Sequence, residues 1–443
     1  MTTEPNPPRL SPNAITPLAT LDPQAPLDDL EWLDEAIGDA RVVAIGESSH
    51  GNREFGLLRT RLLRHLVERH GFGAYALESG FGEGWRVDEW VRGRTGRLDE
   101  LLANGVTSLM GLWTETRAQL EWLRRHNLAA VTPVGFYGVD LPGSQSDPLP
   151  GLDVVTAYLA EADPDFVVEE SLREAIAEYA ASSLLVMPRM LAVYSGLSGE
   201  RKNAVTAGLA DLAARLRALR TDYVRRTGAE TYERVLRVLD NTIALDGMIR
   251  ELARGKPGGI HSSIRDTAMA ETMELILRRE DRVVLAAHNA HIQRTHFAFP
   301  DVGASTTLGM RLAERLGDGY LAIGTTSASG DVLNLGPELL RGKIFTDLEL
   351  PEPGSLDAVM AASSDTVFAA DLRRLTAADT ETIRGATSHR IGTMYTELDP
   401  LAAFDNLVHF PRVTASRPDR AAIAHTPAEV REAFDNYRPR HHV

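Results

Sequence analysis

The stretch VVAIGESSHGNREF, residues 42–55, carries the signal on which the fold prediction rests. Four apolar, mostly β-branched residues end at Gly46, which is typical of a buried strand that stops at a loop. Glu47 and His50 lie in this loop, and a charged segment with helical periodicity follows it. A strand, a short polar loop and a helix form the repeating unit of α/β proteins.

Five further segments resemble strands, and helical patterns of 10–20 residues separate several of them. The strand-like segments are residues 74–78, 133–141, 282–291, 320–326 and 366–372. Residues 52–71 and 83–93 are among the helical segments. This alternation predicts an α/β fold with a mostly parallel central sheet that is flanked by helices.

Two parts of the chain do not follow this alternation of strands and helices. Residues 1–27 are rich in proline and predict a loosely ordered N-terminal arm, so a single α/β domain would comprise residues 28–443. Residues 151–255 lack strand signals and contain long amphipathic helical patterns. We expect this segment to be a helical insertion that forms a lid over the carboxyl edge of the sheet.

Composition excludes several classes of function. The chain has 443 residues and a formal net charge of −15, which makes nucleic-acid binding a poor hypothesis because the surface would repel phosphates. It has no cysteine, which excludes disulfides, thiolate metal sites and cysteine nucleophiles. We find neither a signal-peptide pattern nor a run of 18 apolar residues, so we expect a cytoplasmic protein without a membrane partner.

Ionisable and polar residues follow four of the predicted strands. In open α/β sheets, ligands bind at the carboxyl ends of the strands, so these residues are expected to converge at one edge. They are Glu47, His50, Glu78, Asp140, His288, Asn289 and His291. The convergence is the most informative feature of the sequence.

Each of these residues also has a simple structural explanation. Glu47 could cap the following helix, Asp140 could be a turn residue, and a histidine in a loop is often a surface residue. Glu78 is harder to explain in this way, since a carboxylate directly after a buried strand needs a partner. Arg59 and Arg265 are candidates for that partner, although both could lie on solvated helix faces.

Common catalytic and nucleotide-binding motifs are absent from the sequence. The nearest stretch to the nucleophile elbow G-x-S-x-G is GESSH at 46–50, which lacks the second glycine. The Walker pattern, the Rossmann glycine pattern and H-E-x-x-H do not occur. Histidines, carboxylates and arginines without an evident nucleophile suit general-base activation of water, and they could also hold a metal.

Several motifs together resemble the erythromycin esterase family. They are GESSHGNREF, LESGFGEGWRVDEWV, GFYGVDL, SSIRDTAMAETM, AHNAHIQRT, LGMRLAERLGDGYLAIGTT and FDNLVHFPRV. The resemblance covers roughly residues 28–415. It implies a hydrolase that opens the lactone ring of a macrolide or similar natural product, without a serine nucleophile and without a cofactor.

The resemblance also implies roles for particular residues. The residues expected to be catalytic are Glu47, His50, Arg59, Glu78 and His288. Arg265 and His291 are expected from the resemblance to bind substrate, Asp140 and Asn289 are expected to do so from their places after the predicted strands, and no metal ligand is expected. His50 would be the base that activates water, and Glu47 would orient its ring and raise its basicity.

Three alternatives remain open at this stage. The same histidines and carboxylates could serve a metal-dependent hydrolase, which a chelator would inhibit. The fold could catalyse acyl transfer or ring closure on a natural product instead of hydrolysis. A protein that only sequesters a hydrophobic ligand is the fourth hypothesis, and it would bind tightly without turnover.

Overall fold

The computed structural model describes residues 7–255, 259–299, 303–334 and 336–437. The strands in these residues are β1 Thr16–Pro17, β2 Val42–Ile45, β3 Ala74–Gly80, β4 Gly135–Asp140, β5 Val283–Ala286, β6 Phe297–Phe299, β7 Gly303–Ser305, β8 Tyr320–Leu333, β9 Phe345–Leu348, β10 Phe368–Asp371, β11 Ser388–Ile391, β12 Met394–Glu397 and β13 Asn406–Val413. The predicted strands at 74–78, 133–141 and 320–326 therefore lie within or around observed ones.

The described residues form one large mixed sheet and two small hairpins. The spatial order of the large sheet is β1-β10-β13-β8-β2-β5-β3-β4, and β9 pairs with β8. The five pairings from β13 through to β4 are parallel, whereas β1, β10 and β9 are attached by antiparallel pairings. The predicted α/β class with a mostly parallel sheet is confirmed.

Helices surround this sheet. In chain order they are α1 Asp34–Ile37, α2 Arg53–His70, α3 Gly84–Val91, α4 Leu98–Asn104, α5 Thr114–Ala129, α6 Leu149–Ala162, α7 Glu170–Ala177, α8 Met187–Gly196, α9 Gly199–Ala218, α10 Arg220–Thr227, α11 Ala229–Arg254, α12 Ile260–Ile276, α13 Asn289–Ile292, α14 Leu308–Leu316, α15 Leu356–Ser363, α16 Ala377–Arg384, α17 Pro400–Ala403, α18 Arg420–Ile423 and α19 Ala428–Asn436. No helix of the described residues is both long and apolar enough to cross a membrane.

Strand β2 illustrates how the sheet divides the core. Its four residues are all buried, and successive side chains point to opposite faces. Val43 and Ile45 join one apolar cluster with α2 and α5, whereas Val42 and Ala44 join a second cluster with α12 and α14. Burying one such valine or isoleucine stabilises the fold by about 1.5–3 kcal/mol. Both faces of the sheet are therefore covered, as expected for parallel strands.

The N-terminal segment differs from the expected loose arm. From residue 7 onward it is packed: Leu10, Leu18 and Leu27 are 2%, 8% and 4% exposed and belong to the two cores of the sheet. Thr16 pairs with Ala369 at the edge of the sheet. The prolines limit helix and strand formation, but buried leucines still attach the segment to the core.

The helical segment 151–255 has a hydrophobic core of its own. Its helix α11 packs along α6, α9 and α12, and Ala268 of α12 belongs to the same core. Phe81, in the loop after β3, belongs to a small apolar cluster with Val238 of α11. The block therefore lies beside the β4 end of the sheet.

The described walls of the cavity next to His50 contain no residue from 151–255, which does not fit the predicted lid. Helix α12 lies between the two, because Arg265 faces the cavity and Ala268 faces the helical block. Amphipathic periodicity predicted the helices correctly but does not specify which surface their apolar faces cover.

Candidate active site

The loop after β2 is held close to the loop after β5. A Cβ atom on Gly46 would lie 2.1 Å from Asn289 Oδ1, so only glycine fits there without movement. Asn289 Nδ2 donates to the Thr325 carbonyl oxygen at 2.7 Å, and its backbone N–H donates to the Glu47 carbonyl oxygen at 2.9 Å. Asn289 thus fastens together the loops that follow β2 and β5.

Glu47 and His50 form a hydrogen-bonded pair in the loop after β2. Glu47 Oε1 lies 2.6 Å from His50 Nδ1, and Arg59 donates to Glu47 Oε2 at 3.3 Å. Glu47 is 4% exposed, whereas the His50 side chain is 27% exposed and reaches the cavity. Burial lowers the pKa of His50, but the Glu78 charge and the hydrogen bond to Glu47 outweigh this effect and raise it.

Glu78 lies at the centre of the site. It receives hydrogen bonds from the His288 backbone N–H and from Arg265 Nη2, each at 2.7 Å. Its Oε1 also lies 3.3 Å from His291 Nε2 and 3.8 Å from His50 Nε2. Although burial opposes ionisation, the charges of His291, His50 and Arg265 hold the pKa of Glu78 well below its usual range. Glu78 is therefore an ionised acceptor at neutral pH.

Asp140, which is fully buried, holds Arg265 in place. Two hydrogen bonds of 2.9 and 2.6 Å join its guanidinium group to the Asp140 carboxylate. Gln145 donates a further hydrogen bond of 2.6 Å to the same carboxylate. Such a bidentate pair fixes both the position and the orientation of the arginine. Arg265 is the partner of Glu78 that the sequence required.

A second carboxylate–histidine pair lies on the other side of Glu78. Asp266 Oδ1 is 2.7 Å from His291 Nδ1, and Asp266 Oδ2 accepts the Leu308 backbone N–H at 2.9 Å. Burial lowers the pKa of His291, but Asp266 and Glu78 raise it to about 10. His291 is therefore an imidazolium cation at neutral pH. The sequence prediction did not include Asp266; its position next to Arg265 on α12 was the available signal.

His288 lies beside His50 but differs from it in the direction of its pKa shift. The two rings have centroids 5.0 Å apart, and His288 Nδ1 accepts the Ala290 backbone N–H at 3.2 Å, capping α13. Burial and the neighbouring His50 hold the pKa of His288 well below its usual range. His288 is a neutral member of the site at pH 7.

These groups open onto a cavity of about 260 Å³. The ionisable side chains of its polar floor are His50, Glu78, Arg265, Asp266, His288 and His291. Its apolar rim contains Phe297, Leu333, Ile391 and Met394, of which Phe297 belongs to β6 and Ile391 and Met394 to the β11–β12 hairpin. The sequence prediction missed this rim, because short strands with little alternation give a weak signal.

The structure brings most of the predicted residues together, in two shells. His50, Glu78, Arg265, His288 and His291 line the cavity. The remaining predicted residues lie behind them: Glu47, Arg59, Asp140 and Asn289 are 4%, 8%, 0% and 1% exposed. The burial of Asp140 and Asn289 does not fit the predicted substrate contact, since each bonds instead to protein groups that shape the site.

The family profile named Erythromycin esterase matches residues 67–413, well over half of the chain. The chain belongs to the erythromycin esterase family. Glu78, Asp140, Arg265 and the two histidines after β5 fall within the matched region. Glu47 and His50 precede it, so their assignment to the site depends on the geometry described above.

Two erythromycin esterases of Escherichia coli are among the relatives. The type II enzyme is 31% identical over 75% of this chain and 81% of its own length. The type I enzyme is 26% identical over 74% of this chain and 77% of its own length. Both are named as esterases, which agrees with the family and confirms the prediction of a carboxylic ester hydrolase.

Solved structures share the fold of this erythromycin esterase family member. A Bacillus cereus protein superposes with a TM-score of 0.75 at 21% identity, covering 92% of this chain and 97% of its own. An erythromycin esterase mutant in its open conformation superposes with a TM-score of 0.74 at 22% identity, covering 91% and 98%. At this level of identity the structures support the shared fold alone.

Proposed function

We propose that this protein hydrolyses the lactone of a macrolide or a related cyclic ester, with His50 as the general base. The observation that carries the proposal is the Glu47–His50 pair: Nδ1 of the ring is bonded to the carboxylate at 2.6 Å, and the ring itself reaches the cavity. Fixing Nδ1 as the protonated nitrogen leaves the Nε2 lone pair free to accept a proton. Water takes the place of a serine nucleophile.

The space between His50 and Glu78 suits the attacking water. His50 Nε2 and Glu78 Oε1 are 3.8 Å apart, so one water molecule can hydrogen-bond both atoms. The lowered pKa of Glu78 makes it a weak base, so it orients the water and His50 removes the proton. The resulting hydroxide adds to the ester carbonyl carbon and forms a tetrahedral oxyanion.

We assign the donor role for that oxyanion to His291, whose Nε2–H faces Glu78 Oε1 at 3.3 Å and would turn to the oxyanion as it forms. Its pKa of about 10 keeps a proton on the ring at neutral pH, and Asp266 fixes its orientation. A charged donor in a buried site stabilises the developing negative charge of the transition state. When the intermediate collapses, the carbon–oxygen bond of the ring breaks, and protonated His50 returns its proton to the leaving alkoxide.

The substrate class is supported by the rim and by the relatives. A polar floor beneath an apolar rim fits a large, mostly apolar ring that presents a single ester to the charged groups. The two Escherichia coli relatives are named for erythromycin. We extend that substrate class to this protein as part of the proposal.

A panel of macrolides and simple lactones tests the proposal directly. We expect at least one macrolide to gain the mass of one water, and in ¹⁸O-labelled water to gain one ¹⁸O in the new carboxylate. His50→Ala should slow this gain about 10²–10⁴-fold. Turnover without incorporation of ¹⁸O would indicate acyl transfer or ring chemistry instead, and tight binding without any product would indicate a sequestering protein.

The charged groups of the cavity offer a poor environment for a catalytic metal. Glu78 Oε1, which lies nearest to both His50 and His291, already accepts a hydrogen bond from Arg265. A metal at this oxygen would face the fixed guanidinium cation at short range. Assays with a chelator, followed by re-addition of Zn²⁺ or Mn²⁺, distinguish a metal-dependent reaction, since the proposed base mechanism predicts no change.

A further inference from the structure

A second cluster of histidine and carboxylate side chains lies far from the cavity. Asp34 Oδ1 is 2.7 Å from His65 Nε2 and 2.7 Å from His70 Nε2. These three ligand atoms lie within 4.8 Å of one another. Among the described residues, this is the group of three histidine and carboxylate side chains whose ligand atoms come that close together. The ring centroids of the two histidines are 5.0 Å apart.

Helix α2 separates this cluster from the catalytic site. The helix begins at Arg53, just after the His50 loop, and ends at His70, where Gly71 adopts the left-handed conformation with φ +66°. A helix of this length spans about 25 Å at 1.5 Å per residue. The cluster is therefore at the amino edge of the sheet, where the mechanism above uses no residue.

We propose that Asp34, His65 and His70 form a binding site for a divalent transition-metal ion such as Zn²⁺. Two imidazole nitrogens and one carboxylate oxygen are a ligand set that zinc accepts, and water completes the coordination. The His65 side chain is 0% exposed, His70 19% and Asp34 40%, so the site is closed on one side and open to solvent on the other. That openness provides both an entry path and room for water.

The cluster is rigid enough to be preformed. His65 and His70 belong to one helix, and Asp34 is the first residue of α1. Leu30 and Leu33, in the turn before α1, are both fully buried and hold the segment against the core. The donor atoms thus converge before any ion binds, which reduces the entropy lost on binding.

One feature of the cluster limits its affinity. His65 Nδ1 is buried and makes no hydrogen bond within the described residues. Ligating histidines ordinarily donate this second N–H to an acceptor, and loss of such a partner weakens metal binding by about 10–100-fold. We therefore expect a dissociation constant for Zn²⁺ in the micromolar range.

The ion would join the segment before residue 38 to the end of α2. Binding to the folded state alone raises stability by mass action, so saturating Zn²⁺ should increase Tm by about 2–5 °C. The catalytic rate should stay the same, because neither α1 nor the end of α2 contributes to the cavity.

The test uses the full chain, freed of metal by chelator and dialysis, and titrated with Zn²⁺ by calorimetry. We expect the wild type to bind one equivalent of Zn²⁺ with a micromolar dissociation constant. Binding should be at least tenfold weaker in His70→Ala and in Asp34→Asn. His126→Ala, at the end of helix α5 and outside both sites, is the matched control and should bind as the wild type does. Circular dichroism without metal verifies that each variant is folded.

Two outcomes would overturn the proposal. One is the absence of a stoichiometric Zn²⁺ equivalent in the wild type. The other is one bound equivalent of Zn²⁺ that remains in both His70→Ala and Asp34→Asn. If His50→Ala removes this equivalent, the ion is held by the histidines of the cavity.

Discussion

Two carboxylate–histidine pairs face the same glutamate from opposite sides, yet they differ in their charge states. Glu47 and His50 come from the loop after β2, and His50 is 27% exposed beside the cavity. His291 and Asp266 come from α13 and α12, and the His291 side chain is 13% exposed. The pKa of both histidines is raised, but that of His291 reaches about 10.

Each ring has a carboxylate on Nδ1 and Glu78 near Nε2, so the difference follows from the distance to Glu78 and from the exposure of the ring. His291 has Asp266 on one nitrogen and ionised Glu78 3.3 Å from the other, so its proton is held from both sides. His50 lies 3.8 Å from Glu78 and its side chain is 27% exposed, so its proton is held less firmly than that of His291. In the proposed mechanism, these similar pairs provide a base on one side of the ester and a positive charge on the other.

The largest effect is expected for His50→Ala. Removing the base should lower kcat about 10²–10⁴-fold, with little change in substrate Kd, because a general base acts mainly in the transition state. His50→Gln should be nearly as impaired, since glutamine keeps hydrogen bonding but not basicity. Steady-state kinetics with the best macrolide measure both. If kcat stays above about a tenth of the wild-type value, His288 becomes the residue to test as base.

His291→Gln should have the next largest effect. Glutamine can donate a neutral hydrogen bond but carries no charge, and loss of an oxyanion donor typically costs about 10²–10³-fold in kcat. A transition-state analogue such as a phosphonate lactone should lose affinity in parallel, whereas substrate Kd changes little. Parallel losses of substrate and analogue binding would instead assign His291 to ground-state binding.

Glu47→Gln should be milder than His50→Ala, with a loss of about 10–10²-fold in kcat at pH 7. The neutral base is the active form, so the rate rises with pH through the pKa of His50. Because Glu47 raises that pKa, its replacement should move the acid limb of the pH–rate profile to lower pH. A limb that does not move would mean that another group titrates there.

Asp266→Asn should have the smallest effect at pH 7, about 3–10-fold in kcat, because Glu78 still favours the His291 cation. The wild-type rate should fall as pH rises through about 10, where His291 loses its proton. Without the Asp266 charge this alkaline limb should move to lower pH. If both limbs respond to Asp266→Asn, the two pairs are coupled through Glu78 and do not act separately.

The outcome at particular residues shows what sequence patterns can predict here. Apolar runs that end in polar residues located β2, β3, β4 and β5, and hence the edge where His50 and Glu78 meet. Asp266 was not predicted because an acidic residue beside Arg265 on a helix is typical of a solvent-exposed helix face. Only the tertiary fold shows that Asp266 is 3% exposed. Residues 406–413 were not predicted as a strand, since Asn406, His409 and Pro411 interrupt the apolar pattern.

The positions of the apolar rim and of the helical block could not be predicted from the sequence for a different reason. Ile391 and Met394 line the cavity because their hairpin packs beside β6, a contact between segments about 100 residues apart. The block 151–255 was predicted as helical, but its position depends on the complementarity of α11 and α12. Periodicity identifies apolar faces, whereas partners are chosen by shape across the whole fold.

The order of the strands has a consequence for synthesis on the ribosome. Strands β2 and β3 are close in the sequence, but β5 lies between them in the sheet. The edges of β2 and β3 that pair with β5 therefore stay open until the chain has been translated beyond residue 286, after the whole helical block has emerged. Such nascent edges can pair with other chains. We expect fragments that end near residue 255 to aggregate, and chaperones to engage this protein late in its translation.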